Sequence, residues 1–128
     1  MGTEENKAVV RRFTEEVLAG GSLPMADELL APDVKGLEFS DTGIPGFKAA
    51  LTAIWAHISE CEVNIDELLG EGDSVVARYS YRITRPDGST TTGRGLSYYR
   101  LADGKIVKSE LMTVPDILQG LWQREATD

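Results

Sequence analysis

Val75-Val76-Ala77-Arg78-Tyr79-Ser80-Tyr81-Arg82-Ile83-Thr84-Arg85-Pro86-Asp87-Gly88 is the stretch whose reading decides the fold. Val75, Ala77, Tyr79, Tyr81 and Ile83 alternate with Val76, Arg78, Ser80 and Arg82, which is the period of a strand with one apolar face. Arg85-Pro86-Asp87-Gly88 then has hairpin turn chemistry, because Pro presets φ and Gly allows a positive φ. Thr91 to Leu101 reads as the returning strand and carries Tyr98 and Tyr99. Ala102-Asp103-Gly104-Lys105 is a second turn, and Ile106 to Thr113 a third strand. Asp73 to Thr113 is therefore predicted to be a three-stranded antiparallel meander. Such a meander cannot bury its apolar face alone, so the rest of the chain must cover it.

Upstream, Thr3 is placed to cap a helix with Glu4 and Glu5 in its first turn and Val9, Val10, Phe13, Val17 and Leu18 as its apolar stripe. Gly20-Gly21 ends it. Ser22 begins a shorter helix, which Pro32 stops, and Val34 to Phe39 is a short strand candidate. Ser40 to Gly46 reads as a loop. Phe47, Ala50, Leu51, Ile54, Trp55 and Ile58 recur at helical spacing and predict a long third helix. Cys61 to Leu69 alternates like a strand, and Gly70-Glu71-Gly72-Asp73 turns it into the meander. Thr113 and Pro115 are expected to open a last helix bearing Ile117, Leu118, Leu121 and Trp122, with Glu125 to Asp128 frayed. Helices before a run of antiparallel strands predict a single α+β domain over residues 1–128. Its twisted sheet can curl around the third helix and leave a pocket at the open end.

Composition narrows the function classes. At 128 residues with 41% hydrophobic and 27% charged side chains, the chain has ordinary globular proportions. No apolar run approaches the roughly 20 residues that span a bilayer, so no membrane role is expected. The acidic start, Met1-Gly2-Thr3-Glu4-Glu5, lacks the apolar core of a secretory signal, and Asn6 stands where myristoylation needs Ser or Thr. The single cysteine, Cys61, rules out an internal disulfide and fits a reducing, cytoplasmic location. A net charge of −8, from 13 Lys and Arg against 21 carboxylates, argues against nucleic acid as partner. One Cys and one His do not supply a usual structural zinc site, so no metal is expected.

Three stretches carry a family resemblance. The first is Val10-Arg11-Arg12-Phe13 through Leu18-Ala19-Gly20, followed by Asp27-Glu28-Leu29-Leu30-Ala31-Pro32-Asp33-Val34. The second is Gly70-Glu71-Gly72-Asp73-Ser74-Val75-Val76-Ala77-Arg78, and the third Tyr99-Arg100-Leu101-Ala102-Asp103-Gly104-Lys105-Ile106-Val107. Over about Asn6 to Leu121 the chain resembles the SnoaL-like polyketide cyclases, within the fold of ketosteroid isomerase and nuclear transport factor two. The resemblance implies a cone-shaped α+β fold: a strongly curved, mostly antiparallel sheet around a long helix, with N-terminal helices closing an apolar pocket. It also implies an isomerase- or lyase-type enzyme of antibiotic biosynthesis with no cofactor, a hydrophobic small-molecule substrate, and a homodimer through the outer sheet face. The fold hosts isomerases, cyclases, epoxide hydrolases, dehydratases and binding modules, so the fold alone does not choose among them.

The resemblance also points to residues. Glu38 takes the place of the isomerases' general-base carboxylate, counted from Ala31-Pro32-Asp33, with Asp41 as the second acid along the loop. A carboxylate in an apolar pocket has a raised pKa and can shuttle a proton; the plainer reading is a solvated acid at a strand end. The isomerases' oxyanion pair is absent, because Phe13 replaces their Tyr and Ser97 their Asp. Losing a two-donor oxyanion hole argues against steroid-type isomerisation. Tyr79, Tyr81 or Tyr99 can supply a phenol donor instead, although each also reads as core. The cyclases' His-Trp-Asp run reads Ser109-Glu110-Leu111 here, so both of its proton-transfer groups are lost. By parity, Glu110 faces away from Ser109 and Leu111. His57, at the edge of the third helix's stripe, is a candidate acid near neutral pH. Trp55 reads as pocket wall, and Cys61 as core.

These residues lead to a cofactor-independent cyclase or isomerase acting on a hydrophobic polyketide-like carbonyl compound. Glu38 is its base, and a Tyr hydroxyl or His57 its acid; pocket shape alone can also act as a template. Phe13, Trp55, Tyr79, Tyr81, Ser97, Tyr99, Ser109 and Leu111 are the expected substrate contacts. The rival from another class is a non-catalytic binding or dimerisation module. Epoxide hydrolysis is a third reading, weakened by the lack of an Asp between Ser74 and Thr84.

Overall fold

The meander forms as its alternation and turns require. The computed structural model describes residues 2–36 and 43–115, with side chains as far as Met112. Strands β3 (Ser74–Thr84), β4 (Thr90–Ala102) and β5 (Lys105–Pro115) pair antiparallel in sequence order. The β3–β4 turn is locked by Asp87, whose carboxylate accepts from the Ser89 amide at 2.9 Å and the Ser89 hydroxyl at 2.6 Å. The β4–β5 turn is Asp103-Gly104, with φ of 52° and 78°, the two positive values that a tight two-residue hairpin turn needs.

Strand β2 (Glu60–Glu71) adds to the outer side of β3, with a bulge between Ile65 and Glu67. Strand β1 (Leu30–Lys35) lies parallel to β5 on the other side, giving the mixed order β1-β5-β4-β3-β2. Helix α1 (Thr3–Arg12) continues into a π-helical segment (Phe13–Leu18), and helices α2 (Leu23–Leu29) and α3 (Gly43–Trp55) complete the cover. This is the curved α+β architecture that the sequence predicts. Among the described residues no helix is long and apolar enough to cross a membrane.

Several boundaries differ from the sequence reading, each for a physical reason. The residue capping α1 is Gly2, not Thr3, and no side chain caps that end. The first helix does not stay α-helical to Gly20; from Phe13 it widens, and the Ala19 amide bonds the Thr14 carbonyl five residues back at 3.0 Å. Phe13, Thr14 and Val17 of this segment are buried. Pro32 does not stop the second helix. That helix ends at Leu29, and Pro32 lies inside β1, where an edge strand tolerates the missing N–H. Helix α3 ends at Trp55 rather than Ile58, because the Ser59 amide is already bonded to the Thr84 carbonyl of β3 at 2.8 Å. Finally, residues 113–115 continue β5 opposite Gly95, Arg94 and Gly93 instead of starting a helix. The expected helix of Ile117, Leu118, Leu121 and Trp122 lies outside the described residues.

Phe13 joins three elements in the core. Its fully buried ring stacks on Phe47 of α3 with centroids 5.9 Å apart. It also meets Tyr99 of β4 edge-on at 5.9 Å. Val75, Ala77, Tyr79 and Leu101 present the inner sheet face to this cluster.

Candidate functional site

Between α3, the π-helical segment and the inner sheet face lies a cavity of about 250 Å³. Its inner end is made by Thr14, Leu51 and Tyr79, all buried. Its mouth is made by Ile58, Cys61 and Ile83, all half-buried, where α3 ends, β2 begins and β3 finishes. Leu18, Ile54, Trp55, Val63, Tyr81 and Leu111 complete the wall. An enclosed apolar cavity of about 150 Å³ can hold a benzene, so the volume here has room for one to two rings. A larger depression, about 670 Å³, lies on the outer sheet face between Glu62, Arg82 and Arg94. It is charged and open, and lacks the apolar enclosure that small hydrophobic molecules need.

The polar atoms on the cavity wall are few. The Thr14 hydroxyl donates to the Val10 carbonyl at 2.9 Å. The Tyr79 phenol oxygen accepts from the buried Ser97 hydroxyl at 3.5 Å. Tyr81, Trp55 and Cys61 add a phenol, an indole N–H and a thiol. Among the described residues no charged side chain lines the cavity. Burial, and then the neighbouring Glu62 carboxylate, push the Cys61 thiol above its ordinary pKa. It therefore stays protonated and weakly nucleophilic. The Trp55 indole packs over Gly21, 3.2 Å from where a Cβ there would stand, and Gly21 has φ +68°.

The residues picked from sequence fall into four groups. Trp55, Tyr79, Tyr81 and Leu111 line the cavity. Phe13, Ser97, Tyr99 and Ser109 are buried in the core and are not among the lining residues. His57 is exposed in the turn after α3, its amide bonded to the Ile54 carbonyl at 3.0 Å. Because α3 has already ended, His57 does not continue the apolar stripe that its helical angle implied. Glu38 and Asp41 lie outside the described residues. Glu110 is exposed, as its parity requires, and pairs with Lys108 at 3.1 Å.

Sequence reasoning missed Thr14 and took Cys61 for core. Thr14 lies at i+4 from Val10 on the buried face of the first helix, but an apolar stripe does not count a polar side chain. Cys61 is missed because an inward strand position looks the same whether it meets packing or a cavity. Among the described residues no three His, Cys, Asp or Glu side chains converge to hold a metal ion.

Comparison with known proteins adds a family. The family described as SnoaL-like domain matches residues 10–109. A candidate polyketide cyclase from Acidithiobacillus ferrooxidans superposes with a TM-score of 0.75 at 20% identity, covering 85% of this chain and 87% of that one. A candidate SnoaL-like polyketide cyclase from Jannaschia sp. gives 0.75 at 20% identity, covering 93% and 90%. An NTF2-like protein of unknown function from Burkholderia pseudomallei gives 0.74 at 24% identity, covering 89% and 92%. At these identities the structures share the fold alone. No curated protein matches the sequence.

Proposed function

This chain belongs to the SnoaL-like domain family, and we propose that it is a cofactor-independent cyclase or isomerase of a hydrophobic, carbonyl-containing, polyketide-like molecule. The observation that carries this reading is the apolar cavity, whose few polar groups are hydroxyls, an indole and a thiol. Such a wall binds a ring by dispersion and burial and orients it through one or two hydrogen bonds. In this reading the Tyr79 phenol donates to the substrate carbonyl oxygen. Glu38 removes a proton from the neighbouring carbon, and the enolate charge develops on the oxygen facing Tyr79. Returning the proton to another carbon isomerises the molecule. Attack of the enolate carbon on a second carbonyl closes a ring, with the new alkoxide taking a proton. His57 has no part in this scheme, because its side chain is exposed. The candidate-cyclase descriptions of two structural neighbours agree with it.

The test is α-proton exchange in 2-tetralone, a two-ring ketone, followed by NMR in deuterated buffer. The wild type is expected to accelerate exchange above buffer. Glu38→Gln should lower the catalysed rate by about 10²–10⁴, the usual contribution of a general base. Tyr79→Phe should lower it less. Binding of the ketone with exchange at the buffer rate would overturn the catalytic reading. It would leave the rival, a non-catalytic binding module. That rival draws support from the uncharged cavity wall among the described residues.

A homodimer through the outer sheet face belongs to the same proposal. Leu69, Leu96 and Met112 are exposed there, at 56%, 47% and 70%. Around them, β2 presents Glu62 and Glu67 while β3 and β4 present Arg78, Arg82 and Arg94. Both signs of charge on one face allow a two-fold copy to set acid against base around an apolar centre.

A further inference from the structure

Two glycines in the middle of β4 have no backbone reason to be glycine. Gly93 and Gly95 lie within a regular antiparallel ladder and are absent from the positive-φ positions. A strand interior disfavours glycine, which weakens pairing and leaves nothing to pack. Their spacing of two puts them on one face, and both are buried on the inner side. The register sets Gly95 directly opposite Tyr79 and Gly93 directly opposite Tyr81.

The space above each glycine is filled by the facing phenol. A Cβ on Gly95 would stand 2.5 Å from Tyr79 Cζ and 2.6 Å from its oxygen. A Cβ on Gly93 would stand 2.6 Å from Tyr81 Cζ and closer still to its oxygen. Strand side chains ordinarily stand perpendicular to the sheet. On the inner face that direction is the cavity, which both tyrosines line. Each ring instead leans across onto β4, which only a missing Cβ permits.

We propose that Gly93 and Gly95 are specificity-determining residues that hold the Tyr81 and Tyr79 rings down against β4, and so give the cavity its depth for a flat ring system. This deepens the functional proposal and rests on its reading of the cavity as the ligand site. The register pairs divide the labour. Gly95 and Tyr79 set the inner end beside Thr14, and Gly93 and Tyr81 lie one pair nearer the turn between β3 and β4, on the mouth side. Adding one methyl group at Gly95 forces the phenol up by about an ångström or more to reach van der Waals distance, into the volume that a second ring would occupy.

The experiment is a size ladder of ligand-observed NMR titrations with acetophenone and 2-acetonaphthone, one and two rings. The wild type is expected to bind both. Gly95→Ala should weaken 2-acetonaphthone at least tenfold while acetophenone stays within threefold. Gly95→Ala/Tyr79→Leu removes the displaced ring together with the hydrogen bond that both ketones share, so it should restore the wild-type ratio of 2-acetonaphthone to acetophenone affinity while both bind more weakly. Tyr79→Leu alone should favour 2-acetonaphthone over acetophenone more strongly than the wild type does, and this arm decides the matter if Gly95→Ala does not fold. An unchanged ligand ratio in both arms, with binding intact in the wild type, overturns the glycine proposal and leaves the glycines a packing role. If the wild type binds neither ketone, the reading of the cavity as the ligand site falls first, and the glycine proposal with it.

Discussion

Phe13→Ala is the substitution whose effect can be worked furthest from the structure. The ring is fully buried and touches aromatic rings from two other elements, Phe47 on α3 and Tyr99 on β4. Truncating a buried Phe to Ala costs about 3–5 kcal/mol, the spread reflecting how far the site collapses. Collapse here is opposed from three directions, since the two partner rings are anchored on different elements and the π-helical backbone is already widened. Two aromatic pairs, each worth about 0.5–1.5 kcal/mol beyond burial, are lost together. The expected loss is therefore in the upper half of the range, about 4 kcal/mol. Against a typical domain stability of about 5–15 kcal/mol this removes a quarter or more of the total. Urea unfolding followed by tryptophan fluorescence gives the number, with an unchanged m-value showing that the transition stays two-state. Phe13→Leu should cost clearly less, because it retains most of the volume. A loss below about 1 kcal/mol for Phe13→Ala at constant m would refute the reasoning, since a fully buried ring cannot be removed that cheaply unless the site closes over it.

Three further outcomes are expected. Cys61 should react with iodoacetamide more slowly than a free thiol, with its pH profile displaced upward, because burial and Glu62 both raise its pKa. The stability tied to that proton is fully present below the ordinary value of 9.0 and falls as pH rises through the folded-state value; a profile at or below 9.0 would contradict the burial seen. Asp87 should titrate below its ordinary 3.8, chiefly through the Ser89 hydroxyl and then the Ser89 amide. Its contribution is present above 3.8 and lost as pH falls through the lower folded value, and Ser89→Ala should move the carboxyl's NMR titration back toward 3.8. On the outer face, Leu96→Asp/Met112→Lys should turn a dimer into a monomer in sedimentation velocity; a monomeric wild type at tens of micromolar would remove the dimer proposal.

Much of the fold is legible in the sequence because the meander's information is local. Strict alternation from Val75 to Ile83 and the Pro-Asp-Gly and Asp-Gly turns fix three strands and their inner face without help from distant residues. Even the Tyr79–Gly95 and Tyr81–Gly93 pairs follow from counting outward from the first turn, a signal present in the sequence and usable once the hairpin is accepted. The element ends were harder, because they depend on neighbours. Where α3 stops is set by the Ser59–Thr84 bond across 25 residues, and Pro32 is tolerated only because β1 falls at a sheet edge.

The sequence by itself determined the α+β class, the antiparallel meander, the burial of the odd-numbered face of β3 and the single-cysteine, acidic character. These are properties of local period, turn chemistry and composition. Only the tertiary structure decided that β1 runs parallel to β5, that the first helix becomes π-helical from Phe13, that Thr14 borders a cavity, and that His57 stands outside it. It also decided which inward-facing tyrosines meet empty space and which meet packing: Tyr79 and Tyr81 line the cavity while Tyr99 packs on Phe13. The physical reason is that an inward-facing side chain has the same sequence signature whether a neighbour fills the space before it or not. Only the three-dimensional arrangement of distant elements leaves that space open.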